Sequence, residues 1–248
     1  MKKVAVFFVL FFTLPVLYNL STEARADDIE FQAGITQSEF EEFTKELGSA
    51  LSYKAVAPAE PLGTLGFDIG IDVTATDIDQ GADYWEKSTE DNDMSDMLII
   101  PKIYARKGLP FNIDVGAFYG KAHDSDITVL GAEVKYSILS GTVATPAVAV
   151  RGTYTMLQGV DQLDLSTYGI DLSISKGFLN LTPYGGIGAV LVSSNPKDLD
   201  SGIDLDDEDV TLVKYFAGIR ITLFLLNITA EVEQIEVPTY SLRIGIVF

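Results

Sequence analysis

Few residues in this chain are equipped for chemistry. His123 is the only histidine among 248 residues, and it stands two positions before Ser125 in Lys121-Ala-His-Asp-Ser-Asp126. A histidine base beside a serine hydroxyl is the pairing used in acyl-ester hydrolysis, but the two groups must meet in a fixed geometry that loop neighbours at i and i+2 rarely reach. No oxyanion motif accompanies them, so the sequence offers no catalytic residue and reads as non-enzymatic. Acidic tracts are the second candidates. Asp77 to Asp96 carries Asp77, Asp79, Asp83, Glu86, Glu90, Asp91, Asp93 and Asp96 against Lys87, with Tyr84 and Trp85, the sole tryptophan, in its middle. Asp198 to Asp209 is denser. Clustered carboxylate oxygens suit hard cations, which makes Asp198, Asp200, Asp204 and Asp206 weak metal candidates around Gly202, although no calcium-loop register is recognisable. A solvated acidic surface accounts for the same residues. No cofactor motif is present, and none is expected to bind.

A larger set of charges recurs at alternate positions. From Leu65 onward the chain alternates with a period of two, which in a strand sends successive side chains to opposite faces. One parity is apolar: Leu65, Phe67, Ile69, Ile71 and Val73, then Leu130, Ala132, Val134, Tyr136 and Ile138, and again Tyr168, Ile170, Leu172 and Ile174. The other parity holds the acids Asp68, Asp72, Asp114, Glu133, Asp171, Glu231 and Glu233 and the bases Lys102, Arg106, Lys135, Arg151, Lys214, Arg220 and Arg243. These signs balance although the whole chain carries a formal charge of -19, so the acidic excess lies elsewhere. Charges in a narrow, low-dielectric space persist only when paired or hydrated. The pattern predicts a polar interior enclosed by a wall with an apolar outside.

Ten alternating segments are separated by turn-forming stretches, at about 64–77, 95–107, 110–121, 127–138, 145–157, 166–176, 179–192, 210–223, 227–236 and 238–248. Long and tight connections alternate between them, apart from a short final loop. Outward aromatics sort by depth, with Tyr119, Tyr154, Tyr168, Tyr215 and Tyr240 toward the long connections and Phe67, Phe111, Tyr136 and Phe248 toward the tight ones. Two such girdles belong at the two interfaces of a membrane. The fold class is therefore all-β: a closed antiparallel transmembrane barrel of ten strands, with eight or twelve as alternatives. Mean hydropathy is positive, +0.22, yet no stretch beyond residue 26 offers the roughly 18 or more apolar residues that a spanning helix requires.

The ends agree with this reading. Lys2 and Lys3 precede an apolar run from Val4 to Leu20 and a small-residue exit, Ala24-Arg-Ala26, the layout of a secretory leader over residues 1–26. Its removal leaves 14 basic and 35 acidic groups. Residues 27–62 form a periplasmic amphipathic helix and a Pro-containing linker: Thr36-Gln-Ser-Glu39 is a capping box, Phe40, Phe43, Leu47 and Leu51 recur at helical spacing, and Glu41, Glu42, Lys45 and Glu46 are expected to face away. Plug, cap and simple packing against the rim all remain open for this helix. Residues 63–248 are the barrel. The chain finishes on Tyr240, Leu242, Ile244, Ile246 and Phe248, an apolar face that would leave a sticky edge in a water-soluble sheet.

That ending resembles the C-terminal insertion signal of Gram-negative outer-membrane β-barrels, and the whole chain is similar to small barrels of the OmpA-like and OmpW-like kind without matching one subfamily. The resemblance implies an outer-membrane location, contact with outer-membrane lipids and lipopolysaccharide, and the barrel-assembly machinery as a partner during insertion. Nucleic acid is excluded as a partner by the acidic charge. The expected function is structural, or associated with passage or binding of a small solute. A surface-interaction barrel acting through its acidic loops is the alternative, and an outer-membrane rim hydrolase the remote one.

Overall fold

A computed structural model describes residues 29–89, 96–121 and 127–248. Ten strands follow one another in chain order: β1 Phe67–Asp77, β2 Met97–Leu109, β3 Ile113–Lys121, β4 Thr128–Ser140, β5 Ala147–Gln158, β6 Leu163–Ser175, β7 Leu181–Pro196, β8 Glu208–Leu223, β9 Leu226–Gln234 and β10 Pro238–Val247. Every neighbour is antiparallel, and β1 pairs with both β2 and β10, so the sheet closes into a barrel with no free edge. Closure places Ile71 opposite Ile244 and Asp72 opposite Arg243. It ends in a reciprocal pair in which Phe67 N–H donates to Phe248 C=O at 2.7 Å and Phe248 N–H to Phe67 C=O at 3.1 Å, with the two rings stacked 5.4 Å apart. The ten-strand barrel predicted from alternation is the fold observed. No helix among the described residues is long and apolar enough to cross a membrane.

The connections define two unlike ends. One carries the long β1–β2 and β7–β8 loops, and the other carries the tight β2–β3, β6–β7 and β8–β9 turns together with Phe248. In the tight turns Phe111, Leu179 and Phe224 take left-handed backbone conformations, with φ of 66°, 56° and 63°. Bulky residues rarely adopt this region in water; here each side chain stands exposed at the rim. The register slips once, between Ser137 and Leu139, and the bulge leaves both Ile138 and Leu139 on the outside.

Helix α1 spans Gln37–Leu51, and its capping box is formed: Thr36 Oγ1 accepts from Glu39 N–H at 3.3 Å while Glu39 Oε2 accepts from Thr36 N–H at 2.7 Å. Phe40, Phe43, Leu47 and Leu51 are buried as their spacing predicted. Two expectations are corrected. The helix sits at the long-loop end, inside the mouth of the barrel, whereas the sequence reading put it on the periplasmic, tight-turn side. Phe43 lies edge-on to Phe31 and to Trp85 of the β1–β2 loop, at 5.8 and 4.9 Å. The same cluster takes in Val129, Leu157, Val190 and Val192 from the wall and Val160 and Leu163 beside the β5–β6 loop. Burying this apolar stripe against aromatic and β-branched partners outweighs simple attachment to the nearer rim. Glu46, expected to face solvent, is 7% exposed.

Phe43→Ala should cost about 3–5 kcal/mol of docking free energy, the usual range for an aromatic truncated in a packed core. The expected result is faster proteolysis of residues 29–51 in detergent with an unchanged heat-modifiable mobility of the barrel. Loss of the mobility shift would mean that the cap and the wall fold as one unit.

Candidate functional site: a lumen filled by its own chain

Below α1 the chain turns extended and runs the length of the barrel. Ser52 caps the helix in an extended conformation, and Ser52 to Ala59 are all buried although they form neither helix nor strand. Buried irregular backbone must find partners for its N–H and C=O groups, and the wall supplies them. Ala55 C=O accepts from the guanidinium groups of Arg106 and Arg243, the latter at 2.8 Å. Ala59 N–H donates to Ser175 Oγ at 3.1 Å and Ala59 C=O accepts from Ser137 Oγ at 2.7 Å. Lys135 Nζ reaches Glu60 C=O at 2.7 Å, and Leu62 N–H donates to Asp114 at 3.1 Å. Val56 carries a φ of 44°, a left-handed value that costs a β-branched residue about 1–3 kcal/mol; the two arginines gripping Ala55 hold it there.

All fourteen alternating charges of the strands point into this space, and all but Arg220 are at most 5% exposed. Eight groups of alternating sign form a belt around the wall that finishes on the inserted segment. Asp68 meets Arg106 at 3.6 Å and Arg106 meets Glu133 at 2.5 Å. Glu133 pairs with Arg151 at 3.1 Å, Arg151 with Asp171 at 3.8 Å, and Asp171 with Lys214 at 3.3 Å. Lys214 meets Glu233 at 3.7 Å, and Glu233 meets Lys54 at 2.9 Å. Asp72, Lys102, Asp114, Lys135 and Arg243 lie beside the belt: Arg243 holds Asp72 at 2.5 Å and lies over the Tyr104 ring, Lys135 pairs with Asp114 at 2.8 Å, and Lys102 stands over Phe118 at 4.9 Å. Arg220 reaches Asp68 at 3.4 Å, and Glu231 accepts from Tyr184 Oη at 2.8 Å. Lys54, Ser137, Ser175, Tyr104 and Tyr184 were not singled out from the sequence. Of these, only Lys54 left a signal, as a lone charge immediately before the small and apolar run Ala55-Val-Ala-Pro-Ala59.

The long-loop mouth is closed by contacts between α1 and the loops. Glu46 accepts from Trp85 Nε1 at 2.7 Å, Tyr84 Oη at 2.9 Å and Asp79 N–H at 3.3 Å; burial and this carboxylate push the Tyr84 phenol upward. Gln37 exchanges hydrogen bonds with the backbone of Asp206 and reaches Glu208, and Phe31 N–H donates to Gln162 at 2.8 Å. Lys87 bonds to Glu39 at 2.5 Å and, with Thr36 N–H, holds that carboxyl at about 2 instead of 4.5.

The other candidates stay apart. His123, Ser125, Glu90, Asp91 and Asp93 lie outside the described residues, as do residues 1–28 with the expected leader. Asp198, Asp200, Asp204 and Asp206 are not gathered: among the described residues no group of three His, Cys, Asp or Glu side chains is placed to hold a metal ion. Tyr240, Leu242, Ile246 and Phe248 are exposed on the outer face, and Ile244 is half-buried beside them, while Ser241 and Arg243 point inward.

A closed barrel with an apolar exterior and a charged interior is the architecture of the outer-membrane β-barrels. No protein-family model matches the chain, and no curated protein matches it. Solved structures similar to it include the KdgM porin, at 9% identity and a TM-score of 0.37 over 74% of this chain and 99% of that one. The translocator domain of autotransporter NalP from Neisseria meningitidis is 11% identical, with a TM-score of 0.44 over 85% and 95%. Ail, the attachment invasion locus protein of Yersinia pestis, solved with the heparin analogue sucrose octasulfate, is 14% identical, with a TM-score of 0.30 over 74% and 97%.

Lys54→Met leaves Glu233 with only Lys214 at 3.7 Å and should cost about 3–5 kcal/mol, as removing one partner of a buried pair does. Adding Glu233→Gln should recover most of it. Thermal unfolding of the two variants checks this; equal stabilities would remove the pair from the account. The Glu39 contribution is present above pH 4.5 and is lost as pH falls toward about 2, because folding depresses this carboxyl. Amide exchange over residues 36–42 should therefore quicken across that window, and Glu39→Gln should show no such step.

Proposed function

We propose that this protein is a non-catalytic outer-membrane barrel that is closed at rest, and that solute crosses it only when the segment 52–62 withdraws from the lumen. One observation carries the reading: eight consecutive buried, non-helical residues, Ser52 to Ala59, lie inside the barrel bonded to its polar and charged wall. The apolar exterior supports a hydrocarbon surround, with lipid and lipopolysaccharide as its neighbours. Long loops face outward and tight turns face the periplasm in such barrels, and we adopt that orientation here. The strand ending on Phe248 serves as the insertion signal read by the assembly machinery. With the segment withdrawn, seven inward acids and seven inward bases would line a passage too narrow for large solutes, since interiors of about eight strands are filled by side chains and about sixteen leave an open channel.

A second reading, a surface-interaction barrel, is favoured by the β7–β8 loop. Leu199, Ile203 and Leu205 pack onto the cap while Asp198, Asp200, Asp204 and Asp206 stand exposed, so the loop is a built acidic surface.

In planar bilayers the full-length chain should be silent at low voltage. A variant lacking residues 29–62 should pass a steady current that changes when Arg151 is replaced by Gln. Steady current through the full-length chain would end the closed-barrel reading, and a folded but silent deletion variant would favour the surface-interaction one.

A further inference from the structure

The inserted segment connects the two ends of the barrel. Leu62 is bonded to Asp114 and Gly63 to Gly66, just before β1 begins at the tight-turn end. Ile29 bridges to Thr89, and Phe31 is bonded to Gln162, both at the long-loop end. We infer that the barrel carries its own N-terminal segment across the membrane and holds residues 29–51 on the external face; the orientation rests on the reading above.

Two features suit the lumen to an extended polypeptide. Its arginine, lysine, serine and aspartate side chains bind backbone C=O and N–H groups, which every sequence presents. The stretch they bind, Ala55 to Ala59, is made of small or compact residues, so one extended strand of it fits beside the long inward side chains. A helix with its side chains measures about 10–12 Å across, more than one extended strand. α1 and its aromatic ring contacts are therefore too broad for the space that Ala55–Ala59 occupies. The segment must cross in extended form, or have the wall close around it. Once folded at the far mouth, α1 is a stopper, fastened through Glu46 to Tyr84 and Trp85 and through Gln37 to Asp206.

The chain has no cysteine, so single cysteines report position cleanly. Ala33, Ser38 and Ser201 are exposed at the long-loop end and Val143 in the β4–β5 turn at the other. Full-length Ala33→Cys, Ser38→Cys, Ser201→Cys and Val143→Cys would be expressed in Gram-negative cells and treated with a membrane-impermeant polymer maleimide before and after outer-membrane permeabilisation. Heat-modifiable mobility confirms that each variant is folded, and the two N-terminal positions back each other up. Ala33→Cys and Ser38→Cys should label in intact cells as fully as Ser201→Cys, while Val143→Cys labels only after permeabilisation. Labelling of both N-terminal cysteines only after permeabilisation, with Ser201→Cys open in intact cells, overturns the inference and leaves the orientation standing. Labelling of Val143→Cys but not Ser201→Cys in intact cells reverses the orientation and removes both.

Discussion

A peptide group taken out of water must find a hydrogen-bond partner, and the interior of this barrel is arranged around that requirement. The wall meets it by closing: β1 pairs on both sides, so no strand offers a bare edge to lipid. The inserted segment cannot meet it through regular structure, because Ser52 to Ala59 lies in the lumen paired with no strand. It borrows partners from side chains instead. Arg106, Arg243, Lys135, Ser137, Ser175 and Asp114 stand where a sheet would otherwise supply amides and carbonyls.

This use of charge explains an interior that would otherwise be costly. Desolvating an ion costs several kcal/mol even in a real protein, and pairing returns that only with good geometry. Here several charges answer more than one demand. Arg106 bridges Asp68 and Glu133 along the belt and grips Ala55. Lys135 pairs with Asp114 while binding Glu60, and Asp114 in turn receives Leu62. Sign alternates from Asp68 to Lys54, so removing one member leaves its neighbours uncompensated; the segment contributes the last cation. Plug and wall are one electrostatic unit, and the strained backbone at Val56 is held by that unit.

Much of the wall was legible in the sequence. Period-two alternation makes the inside and outside of a strand readable one residue at a time, because a slip by one residue would reverse every side chain. That is why Asp68, Arg106, Glu133 and Arg151 could be assigned to one face without knowing their partners, and why ten strands could be counted within a few residues of their true ends. The N-terminal segment was legible only locally. The capping box and the stripe of Phe40, Phe43 and Leu47 specify a helix and its sticky face, but they do not say which mouth receives it. Glu46 looked solvent-facing because its helical position is polar, whereas its true surroundings, Trp85 and Tyr84, belong to a loop 39 and 38 residues away in the chain.

The sequence alone thus determined the elements, their faces and the sign of each lumen charge, since these follow from backbone periodicity and side-chain chemistry at fixed spacing. Tertiary structure alone decided that the lumen is occupied by its own chain, that the helix lies at the long-loop mouth, and that Lys54 completes the belt on Glu233. Those are contacts between residues far apart in sequence, and they depend on the width of the closed barrel and on which apolar surfaces it leaves uncovered.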